Sequence, residues 1–417
     1  MKVLVVGAGP AGMMAAIKLK ERNIDVTILE KNNIPGKKLN ITGKGRCNIS
    51  YVGDTNYFLE NVVTNPKFMM SSISNLDNLE LINYINSLGV DTKEERGNRV
   101  FLASDNAKEL TCALENTLKR LGVNIRYNSI VQEILVNNGE VKGIKIITGE
   151  QVLADKVIIA TGGNSYVSTG STGDGYTLAS NVGHSISEIK PALVPFKLKE
   201  KDICKELMGI TLKNVELRVE VCGKVVDKRF GEMLFTNKGI TGPIVLSSSS
   251  KINKIVNLKE EASKGNVKVY IDLKPALSKE ELYKRITKDF EKYINKEFKN
   301  SLKDLTIAAL VPVIIAKAGI DEKKKVNSIT KEEKEKLVNV FKNLEFTFEE
   351  LESINVGIVT SGGINVKEIN PKTMESKIIK GLYFAGEVID VDAYTGGFNL
   401  QIAFSTGYTA GINIGED

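Results

Sequence analysis

The chain has 417 residues, too many for one ordinary domain, and its 42% hydrophobic and 26% charged content describes a folded protein with a sizeable core. Four widely spaced cysteines (Cys47, Cys112, Cys204, Cys222), a single histidine and no tryptophan argue against a zinc centre, a disulfide-reductase pair and Ser-His-Asp chemistry. A formal net charge of +6 is modest, and the lysines of 279–299 and 323–336 alternate with glutamates like solvated helix faces, so no nucleic-acid partner is expected.

Residues 2–6 form a short apolar strand that runs into Gly7-Ala-Gly9-Pro-Ala11-Gly12 and then a helical pattern over 13–21. A second strand, 26–29, delivers Glu30. In this register Gly7 allows the tight turn, Gly9 lets backbone approach a pyrophosphate, and Gly12 lets helix pack on strand; Glu30 is placed to accept from a ribose. The helix start then faces the phosphates with unpaired N–H groups. The chain is therefore expected to bind a dinucleotide. No apolar run nears the roughly 20 residues of a membrane span. The N-terminus opens straight into the strand, without a basic leader, so a cytoplasmic protein with no membrane partner is expected.

After Glu30 comes a long Gly-rich loop, 35–50, then helical periodicity over 76–88 and 106–121, with Asp105 a candidate N-cap. Strands follow at 124–127, 130–136 and 141–147, with Asn137-Asn138-Gly139 as a hairpin turn. Another strand, 156–160, ends in Thr161-Gly162-Gly163. From Pro191 the pattern shifts to strands at 215–221, 225–229, 232–236 and 267–273, then helices at 278–298, 302–317 and 330–344. Gly381 to Gly386 restores the strand-to-glycine pattern, and 399–412 reads as a closing helix. The predicted organisation is a discontinuous nucleotide-binding domain, 1–190 and 345–417, interrupted by an insert at 191–345 of strands and then helices.

Two further constellations carry chemistry. Thr161-Gly162-Gly163, followed by Ser165 and by Gly170 to Gly175, lets backbone pass close to a nucleotide, or serves as a crossover between domains. Gly386-Glu387 with Gly396-Gly397-Phe398-Asn399-Leu400-Gln401 supplies a carboxylate beyond a buried strand and a double glycine opening a helix. The carboxylate can bind ribityl hydroxyls, and the helix start can face a flavin where negative charge develops on reduction. An acidic loop with a helix cap is the bland alternative. The C-terminal position of this element favours FAD over a nicotinamide-only site.

Lys44-Gly45-Arg46-Cys47-Asn48, Thr161-Gly162-Gly163, Gly239-Ile-Thr-Gly-Pro243, and Phe384-Ala-Gly386-Glu387 with Gly396-Gly397-Phe398-Asn399-Leu400-Gln401 occur in order along the chain. In these motifs it resembles the BaiN/YhiN-like bacterial flavoproteins, which include dehydro-bile-acid reductases and aminoacetone oxidases. The resemblance implies an α/β architecture: a Rossmann-like FAD-binding domain, discontinuous, with an inserted β-barrel plus helical domain. It also implies that Gly7, Gly9, Ala11, Gly12 and Glu30 hold the ADP half of FAD. Lys38, Leu39, Gly45 and Arg46 would line a loop closing over the cofactor, and Val131 would meet adenine through its backbone. Glu387 would lie near the ribityl chain and Asn399 and Leu400 near the flavin, with Gly162, Gly163, Gly386 and Gly397 among the cofactor-binding residues.

Without a cysteine pair, and with His184 remote in sequence from every motif, Tyr394 is the first candidate proton donor, and Arg46 a candidate to stabilise enolate-like charge. Cys47 is expected to be packed rather than a redox thiol. No second GxGxxG follows the first, so NAD(P)H is expected to dock transiently as reductant. The expected reaction is NAD(P)H-dependent reduction of a conjugated carbonyl substrate, a small molecule. An oxidase of a small amine and a flavin-dependent tRNA-modifying protein are the alternatives.

Overall fold

Val3 to Val6 are four consecutive buried apolar residues, the pattern of a strand covered on both faces. In the computed structural model, which describes residues 1–415, this strand, β1 (Lys2–Val6), lies at the centre of a five-stranded parallel sheet. Helix α1 (Pro10–Glu21) connects β1 to its parallel neighbour β2 (Asp25–Leu29), giving the βαβ unit expected of the glycine fingerprint. The strand Asn124–Arg126 pairs with the outer side of β2, Lys156–Ile159 with the other side of β1, and Leu382–Phe384 with Lys156–Ile159. The last strand arrives from the far end of the sequence, so the sheet is completed only after the insert.

Two compact units result, Met1–Ala192 with the chain from Ser353 onward, and Leu193–Glu352. Beside its parallel sheet the first unit carries an antiparallel sheet of Val131–Asn137, Glu140–Ile146 and Gln151–Leu153. Asn138 and Gly139, both at positive φ, make the two-residue turn between its first two strands. A third sheet joins Asn48–Tyr51, Arg99–Leu102 and Thr92–Glu95. The Gly-rich segment 35–50 is therefore only partly loop: 3-10 turns within Leu39–Gly45 are separated by a kink at Thr42, Gly43 and Lys44, and the segment's end becomes an edge strand. The helix Ala107–Arg120 is capped by Asn106, whose side chain accepts from the Lys108 N–H, and not by Asp105.

In the second unit a closed six-stranded barrel runs in the order Phe196–Leu198, Gly239–Thr241, Lys224–Thr236, Thr211–Val221, Val267–Asp272, Leu344–Leu351. Phe196 meets Phe348 edge to face at 5.3 Å, and Phe235 lies 5.8 Å from Phe346. The strands expected at 225–229 and 232–236 are one, continuous through Gly231. The boundary expected at 345 falls inside the strand Leu344–Leu351, where Leu344, Phe346 and Phe348 alternate inward to close the barrel. The helix expected over 302–317 is confined to Val311–Ala318. Helices also form at Pro243–Ile252, Lys279–Lys292 and Lys331–Lys342.

Helix α1 packs on the closing helix Phe398–Asn413 through backbone. A Cβ on Gly407 would stand 2.2 Å from the Ala11 carbonyl oxygen, and one on Gly411 2.8 Å from that of Ala15. Gly407→Leu must therefore separate the two helices, and is expected to cost about 3 kcal/mol or more, read as a lowered unfolding midpoint.

His184 is buried, with Nε2 2.9 Å from Ser376 Oγ and its ring edge-on to Phe384 at 4.8 Å. Burial pulls its pKa down, opposed in part by Glu368 at 3.3 Å. A depressed folded pKa means the unfolded chain binds the proton more readily, so this contribution is complete above the unfolded value of about 6.5 and is lost as pH falls below it. Urea midpoints should drop between pH 7 and pH 5, with a shallower drop in His184→Gln.

Candidate cofactor and active site

The turn after β1 is built at backbone contact distance. Gly7 has φ +105°, its N–H donates to Leu29 O at 2.8 Å, and a Cβ there would stand 2.5 Å from Ala160 O. A Cβ on Gly12 would lie 2.0 Å from Gly7 O. Gly9 differs: nothing lies within 4 Å of where its Cβ would be. Gly9 is also the N-cap of α1, so no side chain caps the helix, and its first turn carries no acid. A bare helix start facing open space is the arrangement that accepts a pyrophosphate.

Glu30 is buried just past β2. Its Oε2 accepts from the Ala8 N–H at 2.8 Å, and its Oε1 from the Asn32 N–H at 2.8 Å and Asn32 Nδ2 at 2.7 Å. The carboxylate thus ties the glycine turn to the following loop, and Oε2, which accepts once, keeps a lone pair for a hydroxyl. Ser129 N–H donates to Glu30 O and Asn128 N–H to Asn32 O, which brings the segment leading to Val131 beside Glu30. Asn32 Nδ2 also reaches Thr169 O at 3.1 Å, and Gly162 (φ +73°) lies against Ser171, so the Thr-Gly-Gly segment belongs to the same rim.

A second group forms around Glu387, beyond the strand Leu382–Phe384. Lys38 Nζ lies 2.7 Å from Glu387 Oε2 and donates to Ser165 Oγ at 2.7 Å. Glu387 Oε1 accepts from the Thr360 N–H at 2.9 Å and from Ser165 Oγ at 3.2 Å. A Cβ on Gly163 would collide with Thr360 Oγ1 and Glu387 Oε1, at 2.5 and 2.8 Å. Gly386 packs against Ala11, linking this group to the start of α1. Lys38, Gly163, Gly386, Glu387 and Ala11, distant in sequence, therefore stand together. Thr360 and Asn32 belong to the set, although no motif marks either.

The Lys44–Asn48 motif is held in a constrained turn. Gly43, Lys44, Gly45 and Cys47 all have positive φ, and the Cys47 N–H donates to Thr42 O at 3.0 Å. Nothing lies within 4 Å of a Cβ on Gly45, whereas Leu39 is buried. Arg46 is committed: Nε donates to Asp105 at 2.9 Å, a terminal nitrogen pairs with Glu95, and the guanidinium stacks on Phe101 at 4.4 Å. Both carboxylates raise its pKa. Its positive charge is thus matched by two acids, which speaks against Arg46 as the stabiliser of an enolate. Cys47 is fully buried, and burial pushes its thiol up to about 12, so no thiolate forms near neutrality.

Tyr394 sits half-buried on the loop before the last helix, and its N–H donates to Asn61 O at 2.9 Å. The Asn399 side chain is occupied with this loop: Oδ1 accepts from the Ala393 N–H at 3.0 Å, and Nδ2 donates to Ala393 O at 2.8 Å and Tyr394 O at 3.3 Å. Gly397, at φ +95° against Ser50 O, is the N-cap of Phe398–Asn413 and brings no side-chain cap. Leu400 lies half-buried in that first turn. Among the described residues no group of three or more His, Cys, Asp or Glu side chains could hold a metal.

A two-part cradle follows, one bare helix start beside an acid-lined turn and a second behind the Tyr394 loop. It fits a cofactor with a nucleotide at one end and an electron-accepting ring at the other. The HI0933-like protein Rossmann domain matches residues 1–413. A 3-dehydro-bile acid delta(4,6)-reductase of Clostridium scindens is 31% identical over 415 residues, covering 98% of each chain. A ribosomal RNA dihydrouridine synthase of Haemophilus influenzae is 29% identical, covering 99% of this chain and 98% of its own. The fold is shared with the 3-ketosteroid-delta4-(5alpha)-dehydrogenase of Rhodococcus jostii RHA1, at TM-score 0.53 and 16% identity over 98% of this chain and 95% of that one. The chain is an FAD-dependent oxidoreductase and belongs to the family of HI0933-like proteins.

Proposed function

We propose that the enzyme reduces a C=C bond conjugated to a carbonyl, with NAD(P)H as the reductant. The observation that carries the reading is Tyr394, a phenol on a loop fixed at its backbone, in a unit whose thiol at Cys47 is buried and protonated and whose histidine is buried against Phe384. Two full-length relatives support it, because the reactions in their names share one chemistry: a 4,6-unsaturated 3-oxo steroid and the C5=C6 bond of uridine are both conjugated to a carbonyl.

FAD, when bound and reduced, would supply the hydride chemistry. Glu30, Asn32 and the start of α1 would hold the nucleotide end, Lys38, Ser165 and Thr360 would hold the Glu387 carboxylate in place for the ribityl hydroxyls, and the helix start at Gly397 would offer its N–H groups to the flavin. The Tyr394 hydroxyl gives its proton to the α carbon as the enolate collapses, and takes one back from water.

A second reading replaces the small molecule by RNA. Residues 193–352 carry 32 Lys and Arg against 25 Asp and Glu, whereas the rest of the chain carries 25 against 26. The excess positive charge is thus confined to the insert, an asymmetry that suits a polyanionic substrate.

Anaerobic mixing with NADH or NADPH should bleach the flavin band. Reoxidation by a 4-ene-3-oxo steroid favours the small-molecule reading, and reoxidation by ribosomal RNA lacking dihydrouridine favours the second. Turnover of aminoacetone with oxygen, and reoxidation by neither acceptor, would replace both by an amine oxidase. Glu30→Gln is expected to weaken FAD by about 1–3 kcal/mol, the scale of a charged hydrogen bond, measured by cofactor release. Gly9→Ala, sterically free in the protein itself, should weaken FAD without lowering the apoprotein's unfolding midpoint. Cys47→Ser should keep most activity at matched FAD content, while Tyr394→Phe should lose about a hundredfold or more of kcat.

A further inference from the structure

Asn399 stands in the first turn of the closing helix, where the double glycine would bring it near the flavin, yet its side chain points its polar atoms elsewhere. Three hydrogen bonds from one amide meet the backbone of Ala393 and Tyr394, so Asn399 treats this loop as a neighbouring strand would. The same loop is held from other sides. Val62 bridges Ala393, the Tyr394 N–H meets Asn61 O, and Asn65 Nδ2 donates to Asp390 O at 2.7 Å. The buried Asp392 carboxylate takes the hydroxyls of Ser361, at 2.9 Å, and of Thr64. A loop carrying Gly396 and Gly397 at positive φ would otherwise be among the more mobile parts of the unit.

We infer that Asn399 is a positioning residue: its amide fixes the backbone that carries Tyr394, so that the phenol meets its acceptor in one geometry, and it is not a side-chain ligand of FAD. This rests on the reading of Tyr394 as proton donor. An ordered donor needs its backbone set before substrate arrives, since misplacement by about 1 Å costs orders of magnitude in rate. Asn399→Asp keeps the acceptor for the Ala393 N–H and loses both donors. Asn399→Ala loses all three bonds.

The experiment measures FAD dissociation, kcat and KM with NAD(P)H and the acceptor that reoxidises the flavin, and amide hydrogen exchange over 390–397, for both variants and for each combined with Tyr394→Phe. The expected result is FAD affinity within about threefold of the parent, faster exchange over 390–397, and kcat lowered about tenfold or more with KM little changed. Neither Asn399 substitution should lower kcat further once Tyr394 is Phe. FAD affinity falling tenfold or more with unchanged exchange would make Asn399 a cofactor ligand and overturn the inference. Additive losses of kcat would overturn it as well. If Tyr394→Phe is fully active, the proton-donor reading fails by itself, and unchanged exchange over 390–397 in Asn399→Ala then shows separately that the clamp is absent.

Discussion

The first unit depends on backbone meeting backbone where side chains would ordinarily intervene. Gly12 lies against the Gly7 carbonyl, Gly7 against Ala160, Gly386 against Ala11, and Gly407 against the Ala11 carbonyl. These contacts draw the start of α1, the end of the strand Lys156–Ile159, the turn after Leu382–Phe384 and the closing helix to a single point. Polar atoms of four distant segments can then converge on one cofactor, because no layer of apolar side chains separates them. Gly9 contrasts with Gly7 and Gly12: its missing side chain leaves open space rather than a backbone contact.

Where backbone carries the approach, carboxylates carry the alignment. Glu30 and Glu387 each accept from three protein donors spread over two or three segments. Each acid does for its loop what a ladder of hydrogen bonds does for a strand, and a multiply bonded carboxylate holds its orientation with little entropy left to lose on ligand binding. Arg46 shows the opposite outcome. Its fork is filled by Glu95 and Asp105, and the stack on Phe101 makes it part of the small third sheet.

Much of this was legible in the sequence because fingerprint glycines and alternating apolar runs are local signals. The βαβ start, the hairpin at Asn138-Gly139, the return to the sheet at Leu382 and the final helix follow from pattern alone. Elements with weak local signals were missed. Strand Asn48–Tyr51 hides at the end of a Gly-rich loop, and helix Pro243–Ile252 contains four serines whose burial is decided by tertiary partners: Ser249 and Ser250 accept from Val194 and Leu193 N–H, and Ser248 donates to Asp227. The alternation of Leu344, Phe346 and Phe348 was visible but lay at an assumed boundary. Thr360 and Asn32 carry no motif, since one contributes a backbone N–H and a hydroxyl and the other a common loop amide. Asn399 was legible as important and misleading as to why: its identity shows in the sequence, its hydrogen-bond partners do not.

The insert leaves the first unit just after Lys190–Ala192 and returns just before Val359–Ser361, and those two strands pair with each other within that unit. The pairing places Thr360 on Glu387 and Ser361 on Asp392, so the strands between which the insert enters also hold both carboxylates. Material spliced between the two strands can lengthen, change charge or exchange its loops while the pair that clasps the carboxylates stays shut. Such a chassis can hold its sheet and its clasp constant through long descent while the spliced unit is refitted.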